Sequence, residues 1–237
     1  MIPQLGIDPG SPFPDPDKAL DAPDGLLAWG GDLDPVRLVN AYRNGIFPWY
    51  SGEQPILWWN PSMRCIIRPG DVYVSRRLAR VLRSDRFRIS VDTAFSEVIS
   101  ACALPRKDQD GTWITPRMIQ AYTRLHGMGI AHSIEVWSGD RLAGGLYGLA
   151  IGRMFFGESM FSAVSEASKV ALVILCRQMQ AWGFPLLDCQ VCNPHLERMG
   201  AVEIAREAFL GILNAHVDLP GVPGPWSDRF ELTGAPT

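Results

Sequence analysis

Phe155-Phe156-Gly157-Glu158-Ser159-Met160-Phe161-Ser162 reads as the central strand of a sheet, apolar except for one carboxylate, one glycine and two hydroxyls. Burying an unpaired charge costs several kcal/mol or forces the group to neutralise, so Glu158 requires a partner. Side chains alternate along a strand, which puts Phe156, Glu158 and Met160 on one face, an acid between two large, deformable apolar groups. Such a face fits an apolar amino acid, with its hydrocarbon on Phe and Met and its ammonium on the carboxylate. Gly157 is a position for a bulge, which would shift the alternation. The plainer alternative is a core strand whose Glu158 caps a neighbouring helix or pairs with an arginine.

The flanking sequence extends this strand into a sheet. Ser133 to Trp137, the turn Ser138-Gly139-Asp140 and Leu142 to Ile151 precede it as an antiparallel meander. Ser165 or a neighbour caps the longest helix, Glu166 to Trp182, whose apolar surface carries Val170, Leu172, Val173, Leu175 and Cys176. Phe184 to Val191 returns as a strand with Asp188 and Gln190 on one face and Leu187, Cys189 and Val191 on the other. A short helix (193–199), a strand (201–204), a helix (209–216) and a Pro/Gly-rich tail finish the chain. Upstream, residues 1–33 read as turns joining short extended pieces. Asp34-Pro35 then opens a helix with Val36, Val39 and Tyr42 on one face, ending at Gly45. The aromatic stretches Gly45 to Tyr50 and Ile56 to Pro61 read as the core of a small lobe, with Trp49, after a proline in a loop, as a stacking platform for a base. Cys65 to Ile67 is a short strand, Phe87 to Val91 another, and helices cover 94–102 and 116–126. The polar loop 103–111 leads to Trp113, displayed before the capped helix start Thr115-Pro116.

With 237 residues, 47% apolar and 20% charged, the composition is that of a soluble globular chain with room for one large domain and a smaller companion. The net charge of −3 argues against a nucleic-acid partner, but its distribution argues for one. Eight arginines and no lysine lie between Arg64 and Arg88, opposed by Asp71 and Asp85 alone. Ser75 caps a helix on which Leu78, Val81 and Leu82 face inward while Arg76, Arg77, Arg80 and Arg83 crowd together. The group is either a phosphate-binding surface or a solvated face paired with acids elsewhere. The five cysteines are odd in number and scattered through apolar segments, as reduced, buried thiols are. The lone pair Cys189 and Cys192 lacks the further ligands of a zinc site. Met1 to Pro16 has no signal-peptide pattern and no apolar run approaches the roughly 20 residues of a membrane span, so the expected location is cytoplasmic.

The meander, the long helix leaving its central strand and the returning strand resemble the N-acetyltransferase superfold. The expected class is therefore α+β: an acetyltransferase-like mixed sheet with helices over residues 64–237, behind a small N-terminal lobe over 1–63. Acetyl-CoA users cradle the pyrophosphate in a glycine-rich loop at the start of the long helix. Here that stretch, Ser162 to Lys169, has no glycine, and Glu166 repels phosphate. An acyl-CoA-dependent N-acyltransferase is thus a weaker reading, and a non-catalytic RNA-binding module a third.

Gly45-Ile46-Phe47-Pro48-Trp49, Gly111-Thr112-Trp113-Ile114-Thr115, Phe156 to Ser162 and Asp188-Cys189-Gln190 together resemble leucyl/phenylalanyl-tRNA protein transferases. Gly25-Leu26-Leu27-Ala28, Gly30-Gly31-Asp32-Leu33 and His132 to Trp137 extend the resemblance over nearly the whole chain. It implies a bacterial enzyme that moves Leu or Phe, and also Met, from aminoacyl-tRNA to proteins whose N-terminal residue is Arg or Lys, marking them for proteolysis. By position it assigns Trp49 and Trp113 to the terminal adenosine, and Leu146, Phe155, Phe156, Gly157, Met160, Leu175 and Leu187 to the aminoacyl pocket. Asp188, Gln190 and Glu158 fall at the reacting centre, and Arg76, Arg77, Arg80 and Arg83 on tRNA phosphates. Leu175 stands where the family pattern can carry an aromatic, and the loop before Gly111 is slightly longer than the pattern. Aminolysis of an aminoacyl ester is downhill, so no cofactor, ATP or metal is expected. Asp188 is expected to orient Gln190, Gln190 to position the attacking amine, and Glu158 to hold the donor's amino group, in a monomer. His195, at a short helix start, is expected to be structural.

Overall fold

The computed structural model describes residues 2–52, 54–105 and 112–230. A four-stranded sheet in the order β1-β2-β4-β3 forms first, from β1 (Gln4–Leu5), β2 (Leu26–Gly30), β3 (Phe47–Pro48) and β4 (Leu57–Trp59). Helix α1 (Pro35–Arg43) lies between β2 and β3, with the Asp34 carboxylate accepting the Val36 N–H at 2.9 Å. Its buried face is Arg37, Leu38, Ala41 and Tyr42, whereas Val36 is exposed, so the helix is turned away from the Val36–Val39–Tyr42 face read from the sequence. Arg37 accounts for the turn. Its guanidinium is fully buried and donates to the carbonyls of Gly6 and Asp8, tying the N-terminal segment down.

The chain then enters a seven-stranded sheet through β5 (Met63–Ile67). Helix α2 (Arg76–Leu82), strand β6 (Arg88–Val91), helices α3 (Phe95–Cys102) and α4 (Pro116–Gly127) and strands β7 (Ala131–Ser138), β8 (Arg141–Ile151) and β9 (Met154–Ser162) follow. Helix α5 (Ala167–Trp182), strand β10 (Leu187–Gln190), α6 (Pro194–Glu197), β11 (Val202–Ala205) and α7 (Arg206–His216) complete the order β11-β5-β10-β9-β8-β7-β6. The expected loop 103–111 falls mostly outside the described residues. Strands β7, β8 and β9 are the antiparallel meander, and β10 returns parallel to β9, the layout on which the acetyltransferase-like expectation rests. No described helix is long and apolar enough to cross a membrane.

One apolar core joins α1, α3, α4, α7 and the small sheet to one face of the large sheet; a second joins α2, α5 and the buried Trp226 to the other. Strand β9 divides between them with a break in parity. Gly148 pairs with Gly157 and Tyr147 with Ser159, leaving Glu158 as the extra residue of a bulge. Phe156 therefore joins the first core while Met160 packs with Phe155 against the second, so Met160 does not share the face of Phe156 and Glu158 as simple alternation predicts. Gly148 makes the bulge possible, because a Cβ there would collide with the Phe156 carbonyl and lie 2.6 Å from Phe155 Cε1.

Two local expectations fail. Helix α5 is preceded by Glu166 in a left-handed conformation with no side-chain cap, and it is the Ser162 hydroxyl, not Ser165, that accepts the Ser168 N–H at 3.3 Å. The cysteines are not all free thiols: Cys65 and Cys192, 127 residues apart, are disulfide-bonded with Cα atoms 5.0 Å apart, while Cys102 and Cys176 are buried and Cys189 half-buried.

Candidate functional site

The site lies where β9 and β10 part. The two strands share only the pairs Leu187↔Phe155 and Asp188↔Phe156, after which Glu158 bulges from one and Gln190 turns out of the other at φ 57°. Glu158 is half-buried, and its Oε1 accepts from Tyr42 Oη at 2.6 Å and from Gln190 Nε2 at 3.1 Å. Tyr42 Oη lies 2.5 Å from Tyr122 Oη. Tyr42 has a single proton and gives it to the carboxylate, so Tyr122 must donate to Tyr42. The result is a directed chain, Tyr122 to Tyr42 to Glu158, running from α4 through α1 to the bulge.

Burial pushes the Glu158 carboxyl up to about 7; the hydrogen bonds from Tyr42 and Gln190 work against the rise and the Asp188 charge adds to it. The rise disfavours the charged carboxylate unless a cation meets it. Tyr42, Tyr122 and Tyr147 are all raised well above the ordinary phenol range, chiefly by burial and then by the Glu158 charge, which keeps their hydroxyls protonated as donors.

Asp188 is fully buried and turned to a different partner. Arg64 grips it with both arms of its fork, Nε to Oδ1 at 2.8 Å and Nη2 to Oδ2 at 2.7 Å, and Oδ1 also accepts the Gln190 backbone N–H at 2.9 Å. Asp188 therefore meets Gln190 through the main chain, while the Gln190 side chain reaches Glu158. Phe155, Leu146, Leu175 and Leu187 are buried in the core against α5, with Met160 packed at its edge. All five belong to the core on the α5 face of the large sheet. Phe156 is on the opposite face, its ring 5.2 Å from that of Tyr42, and a Cβ at Gly157 would lie 3.4 Å from the Asp188 carbonyl oxygen. Trp49 is 46% exposed and its carbonyl accepts from Trp59 Nε1 at 2.7 Å, while Trp58 is wholly buried. Trp113 is half-buried, and Tyr50 Oη to Thr115 Oγ1, at 3.5 Å, joins the two tryptophan-bearing stretches.

A family model described as leucyl/phenylalanyl-tRNA protein transferase matches residues 66–214, and a companion model for the N-terminal domain of the same proteins matches 31–62. The chain belongs to the leucyl/phenylalanyl-tRNA protein transferase family. A leucyl/phenylalanyl-tRNA protein transferase of Alkalilimnicola ehrlichii is 59% identical over 224 residues, 94% of this chain and 86% of the relative. Those of Xanthomonas campestris and Hahella chejuensis are 54% identical over 95% of this chain and 91% of theirs, and 55% over 94% of both. Among solved structures, a GCN5-related N-acetyltransferase from Kribbella flavida aligns with TM-score 0.38 at 12% identity, covering 69% of this chain and 58% of that one.

In this member of the transferase family, the arginine helix lies against the start of α5. Ser75 caps it, its hydroxyl accepting the Leu78 N–H at 3.1 Å, and Arg76, Arg77, Arg80 and Arg83 are all exposed. Arg77 Nε lies 3.6 Å from Glu166 Oε1, and Lys169 Nζ 3.3 Å from the same carboxylate. Glu166, which precedes α5, is thus flanked by two cations. Arg64 does not belong with these exposed arginines, although it opens their run in the sequence: it is fully buried. The sequence reading missed Arg64, Tyr122 and the second role of Tyr42 as site residues. The signal in the tyrosines was the hydroxyl, which on a buried helix face has to find a partner.

Proposed function

We propose that this chain transfers Leu, Phe or Met from aminoacyl-tRNA to the N-terminal Arg or Lys of acceptor proteins by aminolysis of the ester, marking them for N-degron proteolysis. The observation that carries this reading is the Glu158 carboxylate, suspended between the Tyr42 hydroxyl and the Gln190 amide where β9 and β10 part. An apolar aminoacyl group fits it with the side chain against Leu146, Phe155, Met160, Leu175 and Leu187 and the ammonium on Glu158. Because Gln190 Nε2 donates to Glu158, the Gln190 carbonyl is left to accept an N–H from the attacking amine. That amine, with a pKa of about 7.7–8.0, is partly neutral at cellular pH. Its nitrogen forms the new C–N bond, the ester C–O bond breaks, and the proton leaving nitrogen ends on the departing ribose oxygen.

Trp49 and Trp113 take the terminal adenosine by stacking, and Arg76, Arg77, Arg80 and Arg83 take backbone phosphates. The working division is a lobe of residues 1–63 and a catalytic domain of 64–237, acting as a cytoplasmic monomer. The glycine-free stretch Ser162 to Lys169 before and into α5 favours tRNA over CoA as the carrier. The test is mass spectrometry of peptides beginning with Arg, Lys or Gly after incubation with Leu-tRNA or, in parallel, with acetyl-CoA. One added leucine on the first two alone supports the reading; acylation by acetyl-CoA in its place overturns it.

A further inference from the structure

The Arg64 guanidinium is fully buried and held by two aromatic rings of the core. Its Cζ lies 4.8 Å from the ring centroid of Phe47 on β3 and 4.5 Å from that of Phe209 on α7, so one aromatic comes from the small sheet and one from the C-terminal helix. The fork edge meets Asp188 at 2.8 and 2.7 Å. Beyond it the connections continue without a gap: Asp188 Oδ1 accepts the N–H of Gln190, whose φ of 57° is rare for a residue with a side chain, and Gln190 Nε2 donates to Glu158. Buried ion pairs contribute little net stability compared with apolar replacements, but a bidentate pair fixes geometry.

We infer that Arg64 is a positioning residue for acyl transfer: clamped between Phe47 and Phe209, it sets the Asp188 carboxylate, and through it the turn that aims the Gln190 amide at Glu158. This rests on the transferase reading given above. It also makes the N-terminal lobe part of the reaction centre through Phe47, as it already is through Tyr42.

The test is Arg64→Lys in the full chain, which keeps a buried cation beside Asp188 and removes the fork. The expected result is a kcat lower by about 100-fold, the cost of a misplacement of order 1 Å, with KM for aminoacyl-tRNA unchanged. Hydrogen–deuterium exchange at the Gln190 amide is expected to accelerate in the same variant. Phe47→Leu, which keeps Arg64 and loses one clamping ring, is expected to show a smaller kcat loss of the same kind and stands in if Arg64→Lys does not fold. Wild-type kcat and wild-type Gln190 exchange in a folded variant overturn the inference, as does a raised KM with kcat untouched. If the wild-type chain transfers nothing, the transferase reading falls, and the exchange measurement alone decides whether Arg64 holds the turn.

Discussion

Glu158→Gln should make the protein more stable at pH 8 and leave it unchanged near pH 4.5. Burial holds the Glu158 carboxyl at about 7 against an ordinary value of 4.5. A group whose pKa is raised on folding binds a proton in the folded state that the unfolded chain has released, so stability falls as pH rises through the window from 4.5 to 7. At about 1.36 kcal/mol per pH unit the full penalty above pH 7 is bounded at about 3 kcal/mol, and partial exposure of the side chain reduces it to about 2. Glutamine avoids the penalty because it has no charge, and its carbonyl oxygen still accepts from Tyr42 and Gln190. For a chain of this length about 2 kcal/mol corresponds to a Tm rise of about 4–8 °C. Thermal melts of both proteins at pH 5 and pH 8 measure it directly. A gain of equal size at both pH values, or a loss at pH 8, would refute the assignment of the penalty to this carboxyl. The same variant is expected to lose transfer, so that stability and activity move in opposite directions.

Three further outcomes follow from the same geometry. Tyr42→Phe removes the donor to Glu158 and leaves Tyr122 without its acceptor, and single-turnover assays should show transfer reduced by about 10- to 100-fold. Gly148→Ala places a Cβ against the Phe156 carbonyl opposite the bulge; urea unfolding should show a loss of about 3 kcal/mol or more, among the larger values single substitutions give. With Leu175 in the aminoacyl pocket as proposed, Leu175→Phe narrows that pocket, and competition between Leu-tRNA and Phe-tRNA should shift toward leucine by about 10-fold, within the range a methylene-scale change in a pocket provides.

The meander, the long helix and the returning strand were legible because each is a run of local pattern: alternation, a 3.6-residue stripe, a turn between them. So was the demand that Glu158 have a partner, since the chemistry of a carboxylate in an apolar strand imposes it. The partner's identity was not legible. Tyr42 is 116 residues away and reads in sequence as one more apolar position on a helix. Arg64 opens a run of arginines that are otherwise exposed, and nothing in its immediate neighbours distinguishes it. Only the pairing of β5 with β10 puts it against Asp188, and the same pairing brings Cys65 to Cys192. The bulge was signalled by Gly157, but the matching glycine that permits it, Gly148, lies on the neighbouring strand. Parity along β9 therefore depended on a contact between strands, which periodicity within one strand cannot supply.

The measurement that tests the account most directly is transfer of labelled leucine from Leu-tRNA to a peptide beginning with arginine. A peptide beginning with glycine, a reaction treated with RNase and one supplied with acetyl-CoA run beside it. The account predicts label on the arginine peptide alone, abolished by RNase and by Glu158→Gln. Tight tRNA binding with the ester left intact would contradict it, as would acetylation that needs no tRNA.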